Sequence, residues 1–327
     1  MRLLIALLFT CGFAAEPLNI CASVPDLGEL ARLVGGDDVV VTSFARGGDD
    51  PHFVEARPSF TKVLAKADLL LVVGMELEIG WIPVIQQQSR NPRIATGGAG
   101  YLDASTAITP LGVPAADTDR SHGDVHPGGN PHFLADPICG LRVAAAIRDR
   151  LIVLAPERAT RFAGRWQDFA RRVASALFGA EQGARLAPDE VIAAAERESL
   201  KPGDAGGWFG KLRPFAGTTV VTDHDLWPYF AHRFGLRVVG FLEPKPGIAP
   251  TTRHLAALIT LMQADHARAI LTVPYFDPRH ARLVSEQTGA VVVPLAHQVG
   301  ATADAGDYLA MVGRNVEALA LALSAGK

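Results

Sequence analysis

The chain has 327 residues, 49% of them hydrophobic and 20% charged, with a formal net charge of -3. That apolar content excludes bulk disorder and is enough for two domains of ordinary size, each with its own core. The near-neutral balance excludes nucleic acid as the main partner, because phosphate binding calls for a basic face.

Met1 and Arg2 are followed by an apolar run from Leu3 to Phe9 and by small residues at Gly12, Ala14 and Ala15. This pattern reads as a secretory signal peptide over residues 1–15, cleaved after Ala14 or Ala15; a buried first strand is the competing reading. Cys11 does not make a lipobox, since Leu8, Phe9 and Thr10 before it are too bulky. No later segment reaches the roughly 18 uninterrupted apolar residues of a membrane span. A soluble periplasmic protein is therefore expected. Once Cys11 leaves with the signal, Cys21 and Cys139 remain, either joined as a disulfide or as two buried thiols. They have no CxxC spacing, so a cysteine zinc site is not expected.

Leu18–Val24 reads as a strand and Leu27–Val34 as a helix stopped by Gly35 and Gly36. Val39–Phe44 is a second strand, Pro58–Ala67 a helix and Leu69–Val73 a third strand. Residues 109–130 carry no apolar periodicity and read as a loop rich in Gly, Pro, Asp and His. Cys139–Leu154 is helical, and Pro156 opens a long helix to about Leu177. Apolar residues at Phe162, Trp166, Phe169, Val173 and Leu177 keep helical spacing there. The second half again alternates short strands with helices. Its strands are expected at Thr218–Thr222, Arg237–Phe241, Ala269–Val273 and Ala290–Pro294, and its helices at Trp227–Phe234, Thr251–Ala264, Pro278–Thr288 and Tyr308–Leu323. The alternation predicts an α/β fold of two parallel-sheet lobes joined by a long connecting helix. The lobes are expected at 16–154 and 181–327, with the connecting helix at 155–180.

Four residues share one context, a loop following a strand, where open α/β sheets place their ligands. They are His52 in Asp50-Pro51-His52, His132 in Asn130-Pro131-His132, His224 in Asp223-His224-Asp225, and Asp277 in Phe276-Asp277-Pro278. Three neutral imidazoles and a carboxylate suit Zn²⁺, and two ligands from each half suit a metal site in the cleft between lobes. Asp277, standing before a proline, also fits a helix cap. His232, His254, His266, His280 and His297 read as structural or solvated.

The segments DPHFVEARPS, NPHFLADP, TDHDLWPYF and VPYFDPRHARLVSEQTGA resemble the four ligand regions of the zinc/manganese solute-binding proteins of ABC importers. GFLEPKPGIAPTTRHLAALI and GDYLAMVGRNVEAL resemble that family's second-lobe segment and closing helix. The resemblance covers essentially the whole mature chain. It implies that His52, His132, His224 and Asp277 are the metal ligands, and that the protein passes a divalent ion to a membrane permease. It implies two four-stranded lobes on a stiff helix, so that release needs small loop shifts and no wide hinge. A histidine rather than a glutamate at position 224 points to zinc ahead of manganese, because nitrogen donors suit Zn²⁺ and Mn²⁺ favours oxygen. The chain departs from the pattern at Asn130, where many members have Asp, and at Val273, where many have Glu. Of the long His-rich loop of zinc-specific members only His122 and His126 remain, a modest metal-collecting loop or plain solvated side chains.

The expectation is a monomeric periplasmic metal-binding protein that is not an enzyme. A zinc-dependent hydrolase, with Glu55 or Asp223 as base, is the first alternative, but no HExxH-like ligand pair is present. A metal-binding surface adhesin is the second, and it would need an anchor.

Overall fold

A computed structural model describes residues 16–115, 125–200, 203–245 and 248–325. The expected signal peptide, including Cys11, and the loop residue His122 lie outside them.

The first half runs β1 (Leu18–Ala22), α1 (Pro25–Gly35), β2 (Val39–Ser43), α2 (Pro58–Leu64), β3 (Leu69–Val72), α3 (Ile82–Ser89) and β4 (Tyr101–Asp103). Helices α4 (Pro137–Leu154), α5 (Ala159–Phe178), α6 (Ala180–Gly183), α7 (Val191–Leu200) and α8 (Gly207–Leu212) follow. The second half runs β5 (Thr219–Thr222), α9 (Pro228–Phe234), β6 (Arg237–Phe241), α10 (Thr252–Ala264), β7 (Ala269–Thr272), α11 (Pro278–Thr288), β8 (Val291–Pro294) and α12 (Tyr308–Ala325).

The strands form two four-stranded sheets, ordered β2-β1-β3-β4 and β6-β5-β7-β8. Every pairing is parallel, with Ile20 opposite Leu69 in one sheet and Val220 opposite Ala269 in the other. The central strands are covered on both faces: all four residues of β3, a continuous apolar run, and of β5, Val220 and Val221 between two threonines, are buried. In α1, Leu27, Leu30, Ala31 and Val34 fall on one buried stripe.

The expectation of a separate core in each half needs correction. One continuous core runs through both, from Ile20 and Leu71 to Val220, Leu271 and Leu319, with smaller clusters on the outer face of each sheet around Trp81 and Met262. The reason is α5, whose Phe162, Trp166, Phe169, Val173 and Leu177 are all buried. It packs on α1 and α4 from the first half and on α8 and α12 from the second. The helix begins at Ala159, because Pro156 starts a 3-10 turn of its own, Pro156–Arg158. Arg161 and Arg165 then fasten its first turns to Asp38, at 2.7 and 2.8 Å. Cys21 and Cys139 are both free, buried thiols, which decides against a disulfide between them.

Candidate metal centre

Three of the four ligands expected from the sequence come together where the C-terminal ends of the two sheets face each other. The ring centre of His52 lies 5.2 Å from that of His132 and 6.4 Å from that of His224, and His132 lies 6.1 Å from His224. A fourth imidazole, His126, stands 5.6 Å from His52 and 6.5 Å from His132. Among the described residues no three His, Cys, Asp or Glu donors are closed on one point. Imidazoles sharing a zinc ion at about 2.0–2.1 Å have centres roughly 5 Å apart. The three expected rings therefore stand only slightly wider than that spacing.

Local chemistry fixes the orientation of each ring. In Asp50-Pro51-His52 the proline starts a short 3-10 turn, and Asp50 Oδ1 accepts from the backbone N–H of His52 at 3.0 Å. The same oxygen lies 2.7 Å from His52 Nδ1. Asn130-Pro131-His132 repeats the device: Asn130 Oδ1 accepts from His132 N–H at 2.9 Å and lies 3.1 Å from its Nδ1. The Asn130 amide is oriented by donating Nδ2–H to the Asp225 carbonyl at 2.7 Å. His224 follows β5 directly and sets Nδ1 3.3 Å from the Glu243 carbonyl. His126 sets Nδ1 2.7 Å from the Met75 carbonyl. A carbonyl, amide or carboxylate oxygen can only accept here, so Nδ1 carries the proton in all four rings. In a neutral ring anchored this way Nε2 carries the lone pair, the tautomer a metal-binding imidazole needs. The Nε2 atoms of His52 and His132 are sealed from solvent.

Asp277 is placed differently. It caps α11, with Oδ1 accepting from Arg279 N–H at 3.0 Å, and its carboxylate forms an ion pair with the Arg279 guanidinium. That pairing holds its pKa down to about 2. It lines a groove with Asp50, Glu243 and Tyr275 beside the histidines. Asp277-Pro278-Arg279 is thus the same turn as Asp50-Pro51-His52, with an arginine where the others carry the imidazole.

Glu55 and Asp223, the carboxylates named for the hydrolase alternative, make their contacts elsewhere. Glu55 is exposed and pairs with Arg57 at 3.4 Å. Asp223 is buried and accepts from Val273 N–H at 2.7 Å, and its burial pushes its pKa up to about 7. The acceptors that matter are Asp50 and Asn130, two residues before each histidine, and that repeated spacing is the signal that could have found them. His297, read as bland, straps the halves together: its Nε2 lies 3.1 Å from the Asp49 carbonyl, and neighbouring Gln298 donates to the Arg46 and Asp49 carbonyls.

The family model for the periplasmic zinc-uptake complex component A, ZnuA, matches residues 20–195 and 210–322. The chain belongs to this family. A high-affinity zinc uptake system protein ZnuA from Yersinia pestis is 24% identical over 305 residues, covering 86% of this chain and 85% of the relative. The ZnuA of Paracoccus denitrificans is 24% identical, with 95% and 93% covered. A ZnuA crystal structure superposes with a TM-score of 0.69 at 20% identity, covering 95% of this chain and 99% of that one. The fold is therefore the ZnuA fold, two four-stranded α/β halves. No helix among the described residues is long and apolar enough to cross a membrane.

Proposed function

We propose that this ZnuA-family chain captures a divalent metal ion outside the cytoplasm, zinc ahead of manganese, and hands it to the permease of an ABC importer. The observation that carries the reading is the shared anchoring of His52, His132 and His224: each sets Nδ1 against a fixed oxygen, the orientation in which an imidazole serves a metal through Nε2. Three nitrogen donors favour Zn²⁺ over Mn²⁺, which prefers oxygen. Asp277, the fourth ligand expected from the sequence, would have to exchange Arg279 for the ion. Binding is favoured over hydrolysis because the two carboxylates named as bases are engaged elsewhere, Glu55 at the surface and Asp223 on the backbone of Val273.

The test is elemental analysis of protein purified from its native compartment, with thermal melting of the metal-free form before and after zinc addition. About one zinc per chain and a large rise in Tm are expected, since an ion that binds only the folded state stabilises it by mass action. Absence of bound metal and an unchanged Tm would overturn the reading.

A further inference from the structure

Resting on the metal-capture reading above, we infer that the fourth ligand is His126 and that the ion is held by four imidazoles, with Asp277 left on its arginine. His126 is 7% exposed although it lies in the Gly- and Pro-rich stretch before Asn130. Its ring is nearer to His52 than that of His224 is, at 5.6 against 6.4 Å. Its Nδ1 is anchored on a fixed oxygen, as in the other three.

The seat for that ring is built at a conformational cost. After β3 the chain turns through Gly74, Met75 and Glu76 with φ of 90°, 51° and 63°. Two of these three are not glycine, and left-handed backbone at such residues persists only where the surroundings hold it. The buried carboxylate of Glu78 holds this one, accepting from the N–H groups of Val73 at 2.6 Å and Gly74 at 3.2 Å. A side chain at Gly74 is excluded, because a Cβ there would lie 1.9 Å from Asp103 Oδ1. The result of the turn is that the Met75 carbonyl meets His126 Nδ1. Strain placed under one side chain of a cluster points to a role for that side chain. Asp277 caps its own helix and pairs with Arg279, which holds the place the imidazole takes in the other turns.

The experiment titrates Zn²⁺ into metal-free protein against a chromophoric chelator, for the parent and for four variants, with zinc X-ray absorption on the loaded parent. His126→Ala should weaken zinc binding at least tenfold. His126→Asn, whose amide can still donate to the Met75 carbonyl but has no second ring nitrogen, should lose as much while its metal-free Tm stays near the parent's. Asp277→Ala should bind within threefold of the parent, and the absorption spectrum should count four imidazoles. If both His126 variants bind within threefold while His52→Ala loses orders of magnitude, His126 is not a ligand and only this inference falls. If His52→Ala also binds like the parent, the metal-capture reading falls with it.

Discussion

Arg233 and Asp136 form a bidentate ion pair with both side chains 2% exposed, Nε to Oδ1 at 2.9 Å and Nη2 to Oδ2 at 2.8 Å. Arg233 belongs to α9, the helix after His224, and Asp136 caps α4, the helix after His132. The pair therefore couples two histidine-bearing loops from opposite halves. Tyr229 and Tyr308 add to the coupling, donating their hydroxyls to the Asn130 and Leu134 carbonyls at 3.0 and 2.7 Å.

Breaking one side of such a pair strands a buried charge, at a cost of about 3–5 kcal/mol. Arg233→Met should lose stability on that scale in urea unfolding of the metal-free protein. Adding Asp136→Asn should recover a good part of the loss. A single variant as stable as the parent would mean the pair does not hold the halves together.

His224 tests both the site and its selectivity. His224→Ala should weaken zinc binding by orders of magnitude while circular dichroism and the metal-free Tm stay close to the parent's. His224→Glu, which exchanges a nitrogen for oxygen donors, should move the ratio of zinc to manganese affinity toward manganese. Competition titrations with each ion read this directly, and parent-like zinc binding by the alanine variant would show that the site is misassigned.

The carboxylate behind His52 should matter through charge as well as geometry. Asp50→Asn can keep an oxygen facing Nδ1, 2.7 Å away in the parent, but makes the imidazole a weaker donor. Loss of such a partner typically costs about 10–100-fold in metal affinity. A loss near the lower end of that range is expected here, read by chelator competition, with little change in the metal-free Tm. An unchanged affinity would show that Asp50 acts only as a cap.

Stability of the metal-free protein should depend on pH through buried groups of opposite sign, Asp26 and His297 among them. Burial raises Asp26 to about 7 and lowers His297 to about 4. Between the ordinary aspartate pKa of 3.8 and about 7 the folded chain holds a proton on Asp26 that the unfolded chain has released, so this group removes stability as pH rises, in full above 7. Between the ordinary histidine pKa of 6.5 and about 4 the unfolded chain protonates a histidine that the folded chain keeps neutral, so His297 removes stability as pH falls. Asp26→Asn should remove the first of these two contributions and keep that of His297. Its urea-unfolding stability should climb more steeply with pH across the window from about 4 to 6.5, and exceed the parent's at about pH 8. A variant less stable than the parent at that alkaline pH would reverse the assigned sign.

The strands were legible because buried parallel strands are short apolar runs between turn residues; strand Arg237–Phe241 and helix Pro278–Thr288 have the ends expected for them. Strand β4 was not, since three residues, Tyr101-Leu102-Asp103, are too few to carry a period. Helices α7 and α8 were passed over among Ala- and Gly-rich segments without a clear stripe. His52, His132 and His224 were legible from their loops. The environment of His126 was not, because its place depends on a carbonyl 51 residues away on a strained turn, which no local pattern encodes. Asp277 shows the converse: an Asp-Pro pair looks the same whether its carboxylate serves an ion or an arginine.

The buried pair Cys21 and Cys139 has a consequence for where an incoming ion can go. Thiolates are the strongest soft donors for zinc a protein can offer, and they bind only once deprotonated. Burial pushes the Cys21 thiol up to about 12 and the Cys139 thiol well above its ordinary value. Both sulfurs thus stay protonated and inert toward oxidants and metals alike, and a scarce cation meets imidazole without a rival sink among them.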